Sequence, residues 1–287
     1  MRWENQKRGN NVEDRRGMSS GGKVAVGGGI GAVIIFVLSL VTGVDLSSLS
    51  GVMDNGASAS NQETTLSKSE LAQRADARSA DLVNVVLTST EEVWTKIFQE
   101  SGQKYIEPTL VLFDKSTQSA CGTGVAQMGP FYCPADQKAY IDLSFCDELR
   151  EKFKAPGDLA VAYVIAHEVG HHIQNLLGRT RWIDNQRSKL SKAAYNQLSV
   201  KLELQADFYA GIWAHYSQKQ LNWFDPKDLE DALRAAQAIG DDKLQMEGQG
   251  YVVPESFTHG TSAQRMYWFK KGYDTGDLSL GEFDLIK

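Results

Sequence analysis

The chain has 287 residues, 42% hydrophobic and 23% charged, with a formal net charge of −6 at pH 7, the composition of an ordinary globular protein. Its first 23 residues hold six basic and three acidic side chains, a net of +3, which leaves −9 for the rest of the chain. That acidic remainder argues against a nucleic-acid partner, because a phosphate backbone requires a basic face.

Residues 24–44, VAVGGGIGAVIIFVLSLVTGV, contain no charge. As a helix the run would extend about 30 Å, the thickness of a bilayer core. A cleaved signal peptide is the rival reading, but the best small-residue site, Ala57-Ser58-Ala59, lies well past the apolar run. The expectation is an uncleaved single span. Arg2, Lys7, Arg8, Arg15, Arg16 and Lys23 precede it, so the positive-inside rule would keep residues 1–23 in the cytoplasm and place the rest outside. Residues 45–66, rich in Ser, Gly, Asn and Ala, read as a flexible linker. A domain over 67–287 follows, large enough for one core.

Within it, residues 81–99 have helical apolar spacing. PTLVLFD (108–114) reads as a strand, and FYCP and AYIDLSF (139–145) as two more around a turn at Pro134-Ala135-Asp136. Residues 146–154 suggest a brief helix ended by Pro156. Gly157 or Asp158 can cap the next, LAVAYVIAHEVGHHIQNLL, which stops at Gly178. Residues 183–219 read as one long helix or two, 226–239 as another behind Asp225-Pro226, and a last begins near Ser262. The predicted class is α+β, mostly helical with a small sheet. Cys121 and Cys133 bracket a loop or hairpin that a disulfide would close, which leaves Cys146 over.

The segment AHEVGHHIQ holds the chemistry. Residues four apart share a helix face, so His167 and His171 can aim two imidazole nitrogens at one ion. Neutral imidazole is a preferred ligand of zinc. Glu168 reaches the space beside the metal, where a carboxylate can take a proton from water whose pKa the ion lowers to about 7. A catalytic zinc needs a third protein ligand and one open position. Glu203 in KLELQADFYAG is the candidate third ligand, and Asp207, one turn later, is the candidate acceptor of a ligand histidine's second N–H. His172 points about 100° away from His171 and His215 lies two turns from Asp207, so neither reads as a ligand. His259, in the loop SFTHGTSAQR, either donates to an oxyanion or orders its loop, with Arg265 as a partner.

The stretches NVEDRRG (11–17), CGTG, GPFYCPADQKAYIDLSF (129–145), AHEVGHHIQNLLG (166–178), LELQADFYAGIWA (202–214) and THGTSAQR (258–265) resemble the bacterial family of neutral zinc metallopeptidases, membrane-anchored proteins of the HExxH type. The resemblance implies a zincin-like, gluzincin-type site: one zinc ion on His167, His171 and Glu203, with Glu168 as general base. It implies a peptide or protein substrate met on the outer side of the bacterial cytoplasmic membrane. NVEDRRG has no evident mechanism. Two other readings are a tethered domain that holds zinc for structure and a zinc hydrolase of a non-peptide bond. Three ligands with a retained Glu168 favour catalysis over a closed structural site.

Overall fold

The structure is a computed structural model that describes residues 1–18 and 66–282. The apolar run 24–44 and the linker lie outside these residues. Among the described residues no helix is long and apolar enough to cross a membrane.

A four-stranded sheet is flanked by helices. Its strands are β1 (Val12–Asp14), β2 (Thr109–Phe113), β6 (Lys138–Asp142) and β5 (Phe131–Cys133), in the spatial order β1-β2-β6-β5. β1, β2 and β6 run parallel, and β5 pairs antiparallel with β6, Phe131 opposite Tyr140. The run LVLF of β2 is buried throughout, the near-continuous apolar pattern expected of a strand covered on both faces. A separate hairpin joins β3 (Ser116–Ser119) to β4 (Gly122–Val125). A disulfide links Cys121, just before β4, to Cys133 at the end of β5, and Cys146 is free and buried.

The helices are α1 (Lys68–Ala72), α2 (Ala77–Glu100), α3 (Ser144–Glu151), α4 (Asp158–Leu176), α5 (Arg179–Asp184), α6 (Lys192–Leu221), α7 (Pro226–Ala238), α8 (Asp241–Gln249) and α9 (Ser262–Thr275). The mostly helical α+β class is therefore as expected. The expected strand 139–145 ends three residues early. The Asp142 carboxylate accepts the Ser144 backbone N–H and the chain turns directly into α3, which takes Phe145 with it. The segment 183–219 divides into α5 and α6 at a break that Ser191 caps, its hydroxyl accepting the Ala194 N–H. α7 starts on a reciprocal box between Asp225 and Asp228 with proline in its first turn, and α9 on one between Thr261 and Gln264.

α2, α4, α6 and α9 supply most of the main core, which includes Trp94, Tyr163, Phe208, Trp213 and Phe269. Trp3 belongs to the same core. The sequence sets residues 1–23 apart from the domain; in the structure residues 1–18 lie on it, with β1 as a strand of its sheet.

Candidate metal centre

α4 is apolar on nearly every side, so its polar groups are carried indoors with it. His167 and Glu168 are buried, and Val164, Ile165 and Val169 around them are core. α6 packs across α4 at Gly170. A Cβ at Gly170 would sit 2.8 Å from the Ala206 carbonyl oxygen and 3.0 Å from its Cα, so only glycine allows this approach. The contact brings the α6 pair Glu203 and Asp207 against the α4 pair His167 and His171.

One nitrogen of each histidine and one oxygen of Glu203 lie within 4.8 Å of one another. Nε2 of His167 is 3.2 Å from Glu203 Oε2, and Nε2 of His171 is 3.4 Å from Oε1. Two imidazoles and a carboxylate converging on one point are a hard-to-borderline N/O donor set that suits zinc. Each ring is aimed by its other nitrogen. His167 Nδ1 donates to Asp207 Oδ1 at 2.8 Å, and His171 Nδ1 to Gln174 Oε1 at 3.0 Å. Gln174 is held in turn by donating to the Leu202 carbonyl at 2.6 Å and to Gln205 Oε1 at 3.2 Å. These bonds leave both Nε2 atoms free to face a metal.

Asp207 is a hub. Besides His167 it accepts from Tyr163 Oη at 2.6 Å and from Arg265 Nε and Nη2 at 2.8 and 2.9 Å. Arg265 is 2% exposed, and its guanidinium lies against a carboxylate that is itself fully buried. Burial works against the Asp207 charge, but Arg265 and His167 hold its pKa below the ordinary value. In the metal-free protein burial likewise opposes a charged His167, yet Asp207 and Glu203 raise it to about 9. Burial disfavours the Glu203 charge, but His171 and His259 outweigh it and Glu203 stays well below the usual carboxylate range.

Glu168 differs from these. Burial raises its pKa, against the pull of His171 and His167. Its carboxylate makes no hydrogen bond to another described residue and is uncommitted beside the three converging ligands.

His259 stands on the loop before α9. Its Nδ1 lies 3.1 Å from Asp241 Oδ1, while Asp241 Oδ2 accepts the backbone N–H groups of Thr258, His259 and Gly260 at 2.8, 2.6 and 3.0 Å. Asp241, the first residue of α8, thus shapes the loop and orients the ring. The loop lies against α6, since a Cβ at Gly260 would meet Leu204 and Val200 at 3.2 Å, and the charges of His259 and Glu203 favour one another. Arg265 serves Asp207 rather than His259. His172 is fully buried and turned to the sheet. Its Nε2 donates to the Ile106 carbonyl at 2.6 Å and its Nδ1 accepts from Tyr132 Oη at 2.9 Å, and burial pulls its pKa down to about 4. His215 Nδ1 donates to the Tyr273 carbonyl at 2.8 Å, which serves the packing of α9.

Tyr163, Gln174 and Asp241 escape sequence reasoning. Tyr163 carried a usable signal, because it stands four residues before His167 on the face that four-residue spacing defines.

The chain matches the family model described as "Putative neutral zinc metallopeptidase" over residues 1–282. It is 46% identical over 282 residues to "Uncharacterized protein YpfJ" of Escherichia coli (strain K12), an alignment covering 96% of each chain. It is 40% identical over 218 residues to "Uncharacterized protein Rv2575" of Mycobacterium tuberculosis (strain ATCC 25618 / H37Rv), covering 72% of this chain and 71% of that one. No solved structure matches it significantly.

Proposed function

Because the chain belongs to the family of neutral zinc metallopeptidases, we propose that it hydrolyses peptide bonds with one zinc ion held by His167, His171 and Glu203. The observation that carries this reading is the pairing of a three-donor cluster with a buried, uncommitted carboxylate, Glu168, next to it. A purely structural zinc is closed by four protein ligands and has no use for such a neighbour.

Zinc, when bound, supplies a Lewis acid that polarises a scissile carbonyl and brings a coordinated water to a pKa near 7. The chain's residues do the rest. Glu168 takes the proton of the attacking water and hands it to the leaving amine. Its raised pKa suits both halves of that transfer, since an efficient acid–base group titrates near the working pH. Asp207 and Gln174 fix the tautomers of the two ligand histidines. His259, oriented by Asp241, donates from Nε2 toward the negative oxygen that develops on the substrate carbonyl. Asp241 also raises the His259 pKa against its burial, which favours the protonated, donating form. The substrate is an extended peptide that adds to the outer edge of β5, the end strand of the sheet. That strand is tied to α4 because Tyr132 Oη contacts both His172 and Asn175. This gives a zincin-like layout with an endopeptidase preference.

Glu168→Gln tests the reading. Metal analysis should find zinc bound as in the wild type, while cleavage of a peptide library falls by about 10²–10⁴-fold, the usual contribution of a general base. His167→Ala should lose both zinc and cleavage. Undiminished cleavage by Glu168→Gln would overturn the mechanism, and loss of zinc from it would make Glu168 a ligand.

A further inference from the structure

The N-terminal residues are tied to the domain by more than one strand. Val12, Glu13 and Asp14 pair in parallel with Leu110, Val111 and Leu112. Trp3, 2% exposed, donates from Nε1 to Asp158 Oδ2 at 2.9 Å, and Asp158 is the first residue of α4. The Arg2 backbone N–H donates to the Trp223 carbonyl at 2.9 Å, just past α6. Asn11 Nδ2 donates to Glu91 at 2.8 Å and to Glu107 at 2.7 Å. The Gly17 N–H donates to Asp114 at 2.7 Å. Arg16 is 3% exposed, grips Asp14 with two nitrogens, and reaches Asp76 at 2.7 Å. Arg15 donates to Thr117 Oγ1 at 3.1 Å and to the Gln118 carbonyl at 3.0 Å, so Asn11, the VED strand, Arg15, Arg16 and Gly17 of NVEDRRG each hold a separate point on the domain.

The same contacts absorb the positive charge. Lys7 pairs with Glu92 at 3.1 Å, Arg8 with Asp81 at 2.7 Å, Arg15 with Glu13 at 2.8 Å, and Arg16 with Asp14 and Asp76. Arg2 donates to the Asn222 carbonyl at 2.5 Å. The positive-inside rule weighs basic groups beside a span against the membrane's two sides. Here five of the six basic groups before the apolar run are engaged with the chain itself, so they are weak evidence for leaving residues 1–18 behind in the cytoplasm. A single crossing between Met18 and Leu66 would put about 30 Å of hydrocarbon between partners that sit within hydrogen-bond distance. It would also leave a strand unpaired and take Trp3 out of the core.

We propose that residues 1–18 and the metallopeptidase domain occupy the same side of the membrane, although the apolar run 24–44 stands between them in the sequence. The N-terminal residues are then a structural part of the domain, in place of the opposite-sided tail that charge alone suggests. The proposal does not depend on the catalytic reading.

The full-length chain tests it through Lys7 and Glu92, whose side chains are 73% and 44% exposed, so that K7C and E92C leave the fold intact. The native thiols are bridged or buried and do not compete. In sealed membrane vesicles, a membrane-impermeant maleimide should label the K7C and E92C single variants from the same side. In the K7C/E92C double variant, a short bis-maleimide should join residues 1–18 to the domain, so that cleavage at a protease site placed within residues 45–66 leaves one band rather than two. Labelling of the two single variants from opposite sides, with no joined band, would overturn the proposal.

Discussion

At the scale of single residues, the centre is organised by Asp207, which receives hydrogen bonds from Tyr163, His167 and Arg265. Arg265 is the compensating charge. Arg265→Met keeps the length of the side chain but leaves a buried carboxylate uncompensated, and breaking a buried pair in this way costs about 3–5 kcal/mol. Urea denaturation should show that loss, and zinc affinity should drop by about 10–100-fold as Asp207, no longer held by Arg265, orients His167 less firmly. Wild-type stability in this variant would remove Arg265 from the account. A second prediction follows from His167. Its metal-free pKa of about 9 lies above the ordinary 6.5, so the stability it contributes without metal is complete below 6.5 and lost as the pH rises through about 9. At pH 7 the ring is therefore protonated, and zinc must displace that proton. Calorimetry in buffers of differing ionisation enthalpy should record proton release on zinc binding at pH 7, with a His167 share that declines above pH 9. No release at pH 7 would refute it. The convergence of His167, His171 and Glu203 and the contact of Asp207 with His167 could be read in advance because four-residue spacing on a helix is a geometric statement. Asp241 could not, because it meets His259 only through the turn of the loop between α8 and α9.

At the scale of elements, the site depends on two helices whose backbones nearly touch. Gly170 faces the Ala206 backbone, and further along α6 the Gly211 and Gly272 pair lets α9 approach as closely, since a Cβ at Gly211 would meet the Phe269 carbonyl and one at Gly272 the Phe208 carbonyl. Gly170→Ala favours the helix locally by about 1 kcal/mol, yet it must push α6 away, and overpacking of that kind costs about 1–3 kcal/mol. The expected outcome is a variant with unchanged helical circular dichroism and a weakened zinc site, because Glu203 moves with α6 while the histidines stay on α4. Zinc titration that matches the wild type would refute it. The larger helices announced themselves through apolar spacing and caps such as Asp225. β1 did not, because VED has no apolar alternation and its pairing with β2 is a matter of backbone. α8, DDKLQMEGQ, is too polar to stand out and is held by Asp241 and by the Gln245 bonds to Ser256 and Val253. The partners of β1 are nearly a hundred residues away, whereas α8 is held by polar side-chain bonds that leave no periodic apolar signal.

At the scale of the whole molecule, the sheet joins the first residues of the chain to its middle, and the core joins them to its last third. On the proposed reading the sheet has a substrate side at β5 and a scaffolding side at β1, and β2 and β6 lie between them. A substitution at the scaffolding side should therefore act on stability before it acts on turnover. The placement of β1 also constrains the order in which the molecule can be assembled. Residues 12–14 are synthesised nearly a hundred residues ahead of their partners at 110–112, and Arg2 waits still longer for Trp223. The VED strand lacks its partner until residues 110–112 follow, and Trp3 lacks Asp158. Contacts of such long sequence separation are closed late and slow the final step of folding, so the part of the chain that is made first is the part that is locked in last.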